Sequence, residues 1–266
     1  MTTVNLLLLP YAGGGAGAFH DWKARLPSWI NPVPLNLPGH GARHGEPVLR
    51  DWPSLIDRLA AEIRPYLAQP FAIFGHSMGA LVGLELSHAI RARNGRTPFW
   101  FGASGCKAPA RRDREPDWLT CPEDDMLQEL RRLGGTPAEV FASRELLDLV
   151  LPTLRADFHL CGTYERLSQR SPLASPLLVL SGTGDKISRD PENLSDWSLE
   201  FSGPHRIEMI EGGHFFIAEQ RDRVVALVES ALTEAAGRSR STGDNPAVPH
   251  AASRERGRPH TPPTAI

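Results

Sequence analysis

Phe71-Ala72-Ile73-Phe74-Gly75-His76-Ser77-Met78-Gly79-Ala80-Leu81-Val82-Gly83-Leu84-Glu85-Leu86 sets how the rest of the chain is read. Pro70 bounds the apolar run Phe71 to Phe74, which has the length and composition of a buried strand. Ala80 to Leu86 reads as the start of a helix. Between the two lies G-x-S-x-G. A serine in that context occupies a sharp strand-to-helix turn, the nucleophile elbow, and its hydroxyl stands clear of the sheet edge. Gly75 and Gly79 lack Cβ atoms, so strand and helix can approach closely. The Met78 N–H falls at the helix N-terminus, where a developing oxyanion is stabilised. Ser77 is therefore the candidate nucleophile; the competing reading is a plain glycine-rich turn.

On the N-terminal side, Val4 to Leu9 reads as a first strand, followed by Pro10-Tyr11-Ala12-Gly13-Gly14-Gly15-Ala16-Gly17. The loop is not G-x-x-x-x-G-K-[ST], and no acidic ribose ligand is evident after it. In the elbow architecture such a loop supplies the second oxyanion donor. The candidate is the N–H of Ala12, or failing that Tyr11. Phe19 to Leu26 reads as a short amphipathic helix, and Pro32 to Leu37 as a strand kept near an edge by its prolines. His40, between Gly39 and Gly41, is read as local turn structure. Trp52 to Leu67 has helical spacing, and Phe99 to Ser104 is another strand.

On the C-terminal side, Leu177 to Ser181 and His205 to Ile210 read as strands. Asp185 and His214 lie in the loops just after them. A serine hydroxyl needs a base to take its proton, and the base is held in one tautomer by a carboxylate. Ser77, Asp185 and His214 occur in the chain order that this architecture requires. Asp190 and Asp196 are close enough in sequence to compete with Asp185. His76, inside the elbow, cannot face the serine and is assigned to packing.

Strands alternating with helices over short connections predict an α/β fold with a mostly parallel sheet covered on both faces. The alternation breaks between about 107 and 172. No strand is expected there, and apolar residues recur at helical spacing over 123–133, 145–154 and 158–167. This reads as a helical lid inserted over Ser77. Lys107, Arg111, Arg112 and Arg114 lie at its start and could meet an acidic partner or a phosphate. Arg221 to Ala236 closes the domain, which spans 1–236. Residues 237–266 read as a disordered basic, proline-rich tail. They carry five arginines against Asp244 and Glu255, with few large apolar side chains.

The formal net charge of -2 over 266 residues argues against a nucleic-acid binder. Cys106, Cys121 and Cys161 form neither a disulfide framework nor a zinc pattern, which fits a reducing compartment. No run is long and apolar enough for a signal peptide or a membrane span. A cytoplasmic monomer is expected, with no metal and no membrane contact.

Four stretches together resemble one family: Leu9-Pro10-Tyr11-Ala12-Gly13-Gly14, Gly75-His76-Ser77-Met78-Gly79, Leu154-Arg155-Ala156-Asp157-Phe158 and Gly212-Gly213-His214-Phe215-Phe216. They look like the type II thioesterases that serve polyketide synthases and non-ribosomal peptide synthetases. The resemblance implies an α/β-hydrolase fold and assigns Ser77 as nucleophile, His214 as base and Asp185 as its partner. It places the oxyanion hole at the N–H groups of Ala12 and Met78. The implied substrates are acyl groups on the phosphopantetheine arm of acyl or peptidyl carrier proteins, with no cofactor beyond that arm. The same pattern suits a small-molecule esterase or acyltransferase, and a non-catalytic carrier-binding protein that kept the fold. Thr183-Gly184 before Asp185 is less acidic than the family pattern.

Overall fold

The computed structural model describes residues 2–115 and 117–241. The expected tail lies outside the described residues from 242 onward. In chain order the elements are β1 (Val4–Leu9), α1 (Trp22–Arg25), β2 (Ile30–Pro34), α2 (Trp52–Glu62), β3 (Phe71–His76), α3 (Met78–Asn94) and β4 (Phe101–Ser104). There follow α4 (Glu123–Leu133), α5 (Ala138–Ala142), α6 (Arg144–Gly162), β5 (Leu177–Gly182), α7 (Pro191–Ser195), β6 (His205–Ile210), α8 (Phe216–Glu219) and α9 (Arg221–Ser241).

The six strands form one parallel sheet in the order β2-β1-β3-β4-β5-β6. β2 is an edge strand, where Pro32 and Pro34 do no harm to a ladder. The central strands are apolar throughout because both faces are covered. Leu7, Leu9, Phe71 and Ile73 pack against α2 and α3, whereas Leu6, Leu8, Ala72 and Phe74 pack against α1, α8 and α9. Each of the leucine, isoleucine and phenylalanine side chains contributes about 1.5–3 kcal/mol on burial. β3 runs directly into α3 beneath this double cover, so the Ser77 turn rests on a fully buried strand and the buried first turns of a helix.

Several element boundaries differ from the periodicity reading. The helix expected over 52–67 ends at Glu62, and a 3-10 segment continues it through Pro65. The helix expected over 19–26 shrinks to a 3-10 turn and the single turn α1. The separate helices expected over 145–154 and 158–167 are one helix, α6, which continues through Pro152. The closing helix runs to Ser241, past the expected end at Ala236.

Between β4 and β5, α4 and α6 form their own apolar cluster around Met126, Leu130, Leu147, Leu151, Leu154 and Phe158. The C-terminal half of α6 is tied to the sheet domain. Trp52 Nε1–H donates to Leu160 O at 2.9 Å. Just beyond the helix, Tyr164 donates to Glu85 Oε1 at 2.8 Å, and Arg170 forks onto the same carboxylate at 2.6 and 2.7 Å.

Candidate active site

Ser77 has φ 55° and ψ -120°, and among the described residues only Asp21 shares a positive φ without being glycine. That conformation is strained for any residue with a Cβ. Two backbone bonds hold it: Ser77 N–H to Ser104 O at 2.7 Å, and Ala80 N–H to Ser77 O at 3.0 Å. A methyl group at Gly75 would run into the carbonyl of Gly79, and one at Gly79 into the carbonyl of Leu9. Only glycine fits at either position.

Ser77 Oγ–H donates to His214 Nε2 at 3.0 Å, and His214 Nδ1–H donates to Asp185 Oδ2 at 2.9 Å. The loops after β5 and β6 bring these two residues together by packing backbone on backbone. A Cβ at Gly182 would strike the carbonyls of Gly212 and Gly213, and Gly184 N–H donates to Gly212 O at 2.8 Å. Asp185 also accepts from Ser188 Oγ–H at 2.7 Å and Ile187 N–H at 2.8 Å. Burial pushes its carboxyl up, but the bonds and charge of His214, with those of Ser188 and Ile187, outweigh burial and leave it below the usual carboxylate range. Asp190 caps α7 and Asp196 pairs with Arg111, so neither competes for His214.

His76 is fully buried and does more than fill space. Its Nε2–H donates to the carbonyl of His214 at 3.0 Å while its Nδ1 accepts from Ser104 Oγ–H at 2.8 Å. Burial, with the nearby His214, lowers its pKa to about 3, so it is a neutral brace for the His214 backbone.

Ala12 and Met78 line the same cavity as Ser77. Met78 is the first residue of α3, where N–H groups have no intrahelical partner. The glycine loop after β1 is held from two sides. Gly14 N–H closes a turn on Tyr11 O at 2.8 Å, and Gly13 N–H donates to Asp157 Oδ2 of α6 at 2.6 Å. The same carboxylate oxygen accepts from His40 Nε2–H at 2.7 Å, and both side chains are buried. His40, read from sequence as turn structure only, therefore links the Pro38–Gly41 turn to the inserted helices. Asp157 belonged to a recognisable motif, but a carboxylate inside an amphipathic helix gives no sign of its partner 117 residues away.

The cavity has a volume of about 760 Å³ and runs from Ser77 and His214 beneath α4–α6, where Leu130, Val140, Val150 and Leu154 line it. The cations at the start of the insertion are largely engaged. Arg111 bonds Asp196 at 2.6 Å, Arg114 lies 3.7 Å from Glu165, and Arg112 turns inward to donate to Cys161 O at 3.0 Å. Lys107 faces the cavity. Among the described residues no cluster of His, Cys, Asp or Glu could hold a metal, and no helix is long and apolar enough to cross a membrane.

The thioesterase domain model matches residues 4–232. The protein named linear gramicidin dehydrogenase LgrE, from Brevibacillus parabrevis, is 36% identical over 236 residues, covering 86% of this chain and 88% of its own length. Thioesterase PikA5 from Streptomyces venezuelae is 34% identical, covering 82% of this chain and 77% of its own. Among solved structures, the RedJ thioesterase of the prodiginine biosynthetic pathway in Streptomyces coelicolor superposes with a TM-score of 0.80 at 31% identity, covering 86% of this chain and 91% of that one. This chain has the α/β-hydrolase fold.

Proposed function

This chain belongs to the thioesterase family, and on that premise we propose that it clears acyl groups from the pantetheine arm of carrier proteins in a polyketide or non-ribosomal peptide pathway. The observation that carries the chemistry is the continuous line Ser77 Oγ, His214 Nε2, His214 Nδ1, Asp185 Oδ2, with bonds of 3.0 and 2.9 Å. It is supported by solved structural neighbours from NRPS/PKS pathways, ClbQ of the colibactin pathway and the type II thioesterase YbtT of the yersiniabactin pathway, each 28% identical to this chain.

Ser77 Oγ attacks the thioester carbonyl as His214 Nε2 takes its proton. The tetrahedral oxyanion is held by the N–H groups of Ala12 and Met78, which are worth most in a site closed to bulk water. His214 then protonates the departing pantetheine sulfur, leaving an acyl group on Ser77. A water, deprotonated by His214, attacks that ester, and the free acid leaves. Asp185 stays ionised, holds Nδ1 protonated and stabilises the imidazolium. The chemistry needs no metal or dissociable cofactor; the substrate brings its own phosphopantetheine.

The inserted helices act as the roof of the acyl chamber. A cavity of about 760 Å³, apolar where Leu130, Val140, Val150 and Leu154 line it, suits several short acyl groups, and one methylene there is worth only about 1–3 kcal/mol. Broad tolerance befits an editing enzyme. The protein works as a cytoplasmic monomer; its three cysteines are unpaired, which fits a reducing compartment. The dehydrogenase in the name of LgrE does not carry over, because no acidic ribose ligand is evident after the glycine loop and the thioesterase domain model matches residues 4–232. The test is active-site labelling. A fluorophosphonate must modify Ser77, and Ser77→Ala must lose both labelling and release of free acid from an acyl-loaded carrier. Release that survives the substitution would refute the reading.

A further inference from the structure

We propose that His40 and Asp157 are a proton-dependent positioning pair that holds the Gly13 loop, and with it the Ala12 N–H, in place for the reaction. The inference deepens the function proposed above and rests on Ala12 as an oxyanion donor.

Both ring nitrogens of His40 face acceptors. His40 Nδ1 lies 3.0 Å from the carbonyl oxygen of Pro38, and Nε2 lies 2.7 Å from Asp157 Oδ2. A carbonyl and a carboxylate both only accept. Both contacts are satisfied together when His40 is an imidazolium and Asp157 a carboxylate. The shared proton belongs on the ring, because a carboxyl group is ordinarily the stronger acid by more than two pH units. His214 is arranged differently: its Nε2 faces a serine hydroxyl, which can donate.

The pair is placed to act on the loop. Asp157 Oδ2 accepts the Gly13 N–H at 2.6 Å, so one oxygen joins the glycine loop, the His40 turn and α6. Gly13 has φ 74°, and Leu154 packs against it so closely that a Cβ there would clash. Thr153 Oγ1–H reaches Gly39 O at 3.4 Å on the other turn. Ala12 is the residue before Gly13, so the peptide plane that follows it is pinned by this bond.

Losing the ring proton loosens the arrangement, because the neutral ring has one N–H for two acceptors. With Nδ1–H kept on Pro38 O, the Nε2 lone pair faces the carboxylate at 2.7 Å; with Nε2–H kept on Asp157, the Nδ1 lone pair faces the Pro38 carbonyl at 3.0 Å and the positive charge that holds the carboxylate is gone. In both tautomers the grip of Asp157 on Gly13 weakens. Burial pulls the His40 pKa down, but the bond and charge of Asp157, with the backbone of Pro38 and Leu37, outweigh burial and leave it above the ordinary imidazole value. The arrangement is therefore intact below that raised value and is lost as pH rises through it. The nearest thiol and phenol ionise at higher pH. Burial pushes the Cys161 thiol, one turn further along α6, up to about 12, and raises the Tyr11 hydroxyl on the loop. His44, in the same turn, is exposed and faces Gly41 O. Arg155 points to the carbonyls of Trp118 and Cys121.

The experiment follows the rate of fluorophosphonate labelling at Ser77, and kcat and KM for an acyl-loaded carrier, between about pH 6 and 10, a range that spans the free imidazole value. Tm is recorded at each pH. The wild-type protein should show an alkaline limb of one proton, with kcat falling about tenfold or more and KM unchanged, since a misaimed oxyanion donor costs transition-state stabilisation. Asp157→Asn removes the charge that favours the imidazolium, so its limb should move to lower pH by about one unit or more. His40→Gln supplies a donor that does not titrate, so its rate, lower overall, should show no such limb. If wild type, Asp157→Asn and His40→Gln share one alkaline limb, or if wild type has none, the proposal is overturned. The wild-type profile decides by itself if the variants do not fold. Absence of any labelling at Ser77 would instead overturn the catalytic reading.

Discussion

The positive φ of Ser77 can be weighed directly by comparing Ser77→Gly with Ser77→Ala. Both substitutions remove the hydroxyl and its bond to His214 Nε2, so that loss cancels between them. Neither removes a helix cap, because the Ser77 side chain makes no capping bond to α3. What differs is the Cβ. At φ 55° and ψ -120° a Cβ costs about 1–3 kcal/mol. Glycine relieves that strain but gives the unfolded chain more freedom, worth about 0.4–1 kcal/mol. The balance leaves Ser77→Gly more stable than Ser77→Ala by roughly 0.5–2 kcal/mol. For a domain of this size each kcal/mol moves Tm by about 2–4 °C. Urea unfolding, followed by tryptophan fluorescence at pH 7, measures the difference, and equal m-values check that the unfolded states match. Both variants should be inactive. If Ser77→Gly is no more stable than Ser77→Ala, the elbow stores no strain and the argument fails.

Three further outcomes follow. Gly79→Ala should cost several kcal/mol or prevent folding, since its methyl would meet the Leu9 carbonyl in the centre of the sheet; a melting temperature within 2–3 °C of wild type, about 1 kcal/mol, would contradict the close approach. Burial, with Arg170 and Arg91, also holds His88 at about 3, and acid should destabilise the protein in part through His76. Its folded pKa of about 3 lies below the ordinary 6.5, so the unfolded chain binds the extra proton between those values and this residue lowers stability with falling pH by about 1.4 kcal/mol per unit. Urea midpoints at pH 7, 6, 5 and 4 should show a slope that His76→Asn reduces, and an unchanged slope would remove His76 from the account. Val150→Phe should fill part of the acyl chamber beside α6 and lower kcat/KM for longer acyl groups relative to acetyl; an equal loss for all chain lengths would show that the chamber does not hold the acyl group.

The sheet was legible because its central strands are apolar on both faces and are bounded by proline or glycine. Helix limits were less so. Periodicity carried the reading of α2 on through Pro65, which the chain accommodates as a 3-10 turn, and split α6, whose apolar stripe continues through Pro152 to Phe158. α5, α7 and α8 are only one or two turns long, too short for a periodic signal. Ser77, Asp185 and His214 each sit directly after a strand or within an elbow, a positional signal that needs no knowledge of contacts. His76 and the His40–Asp157 pair carry no such signal. Their partners come from distant segments: His214 lies 138 residues from His76, and Asp157 lies 117 from His40. Only the packed fold brings a ring nitrogen to a particular carbonyl or carboxylate. Nor does the sequence say which apolar residues of α4 and α6 join their own cluster and which line the cavity wall.

The central claim is that Ser77 accepts an acyl group from a carrier-bound thioester and passes it to water. Intact-mass spectrometry of both proteins in one reaction tests it most directly. A carrier loaded with a short acyl-pantetheine should lose the acyl mass, while rapid quenching should catch the same mass added to this protein on the peptide containing Ser77. Ser77→Ala should leave the carrier loaded. A carrier that stays loaded with the wild-type protein, or is unloaded equally well by Ser77→Ala, would contradict the account.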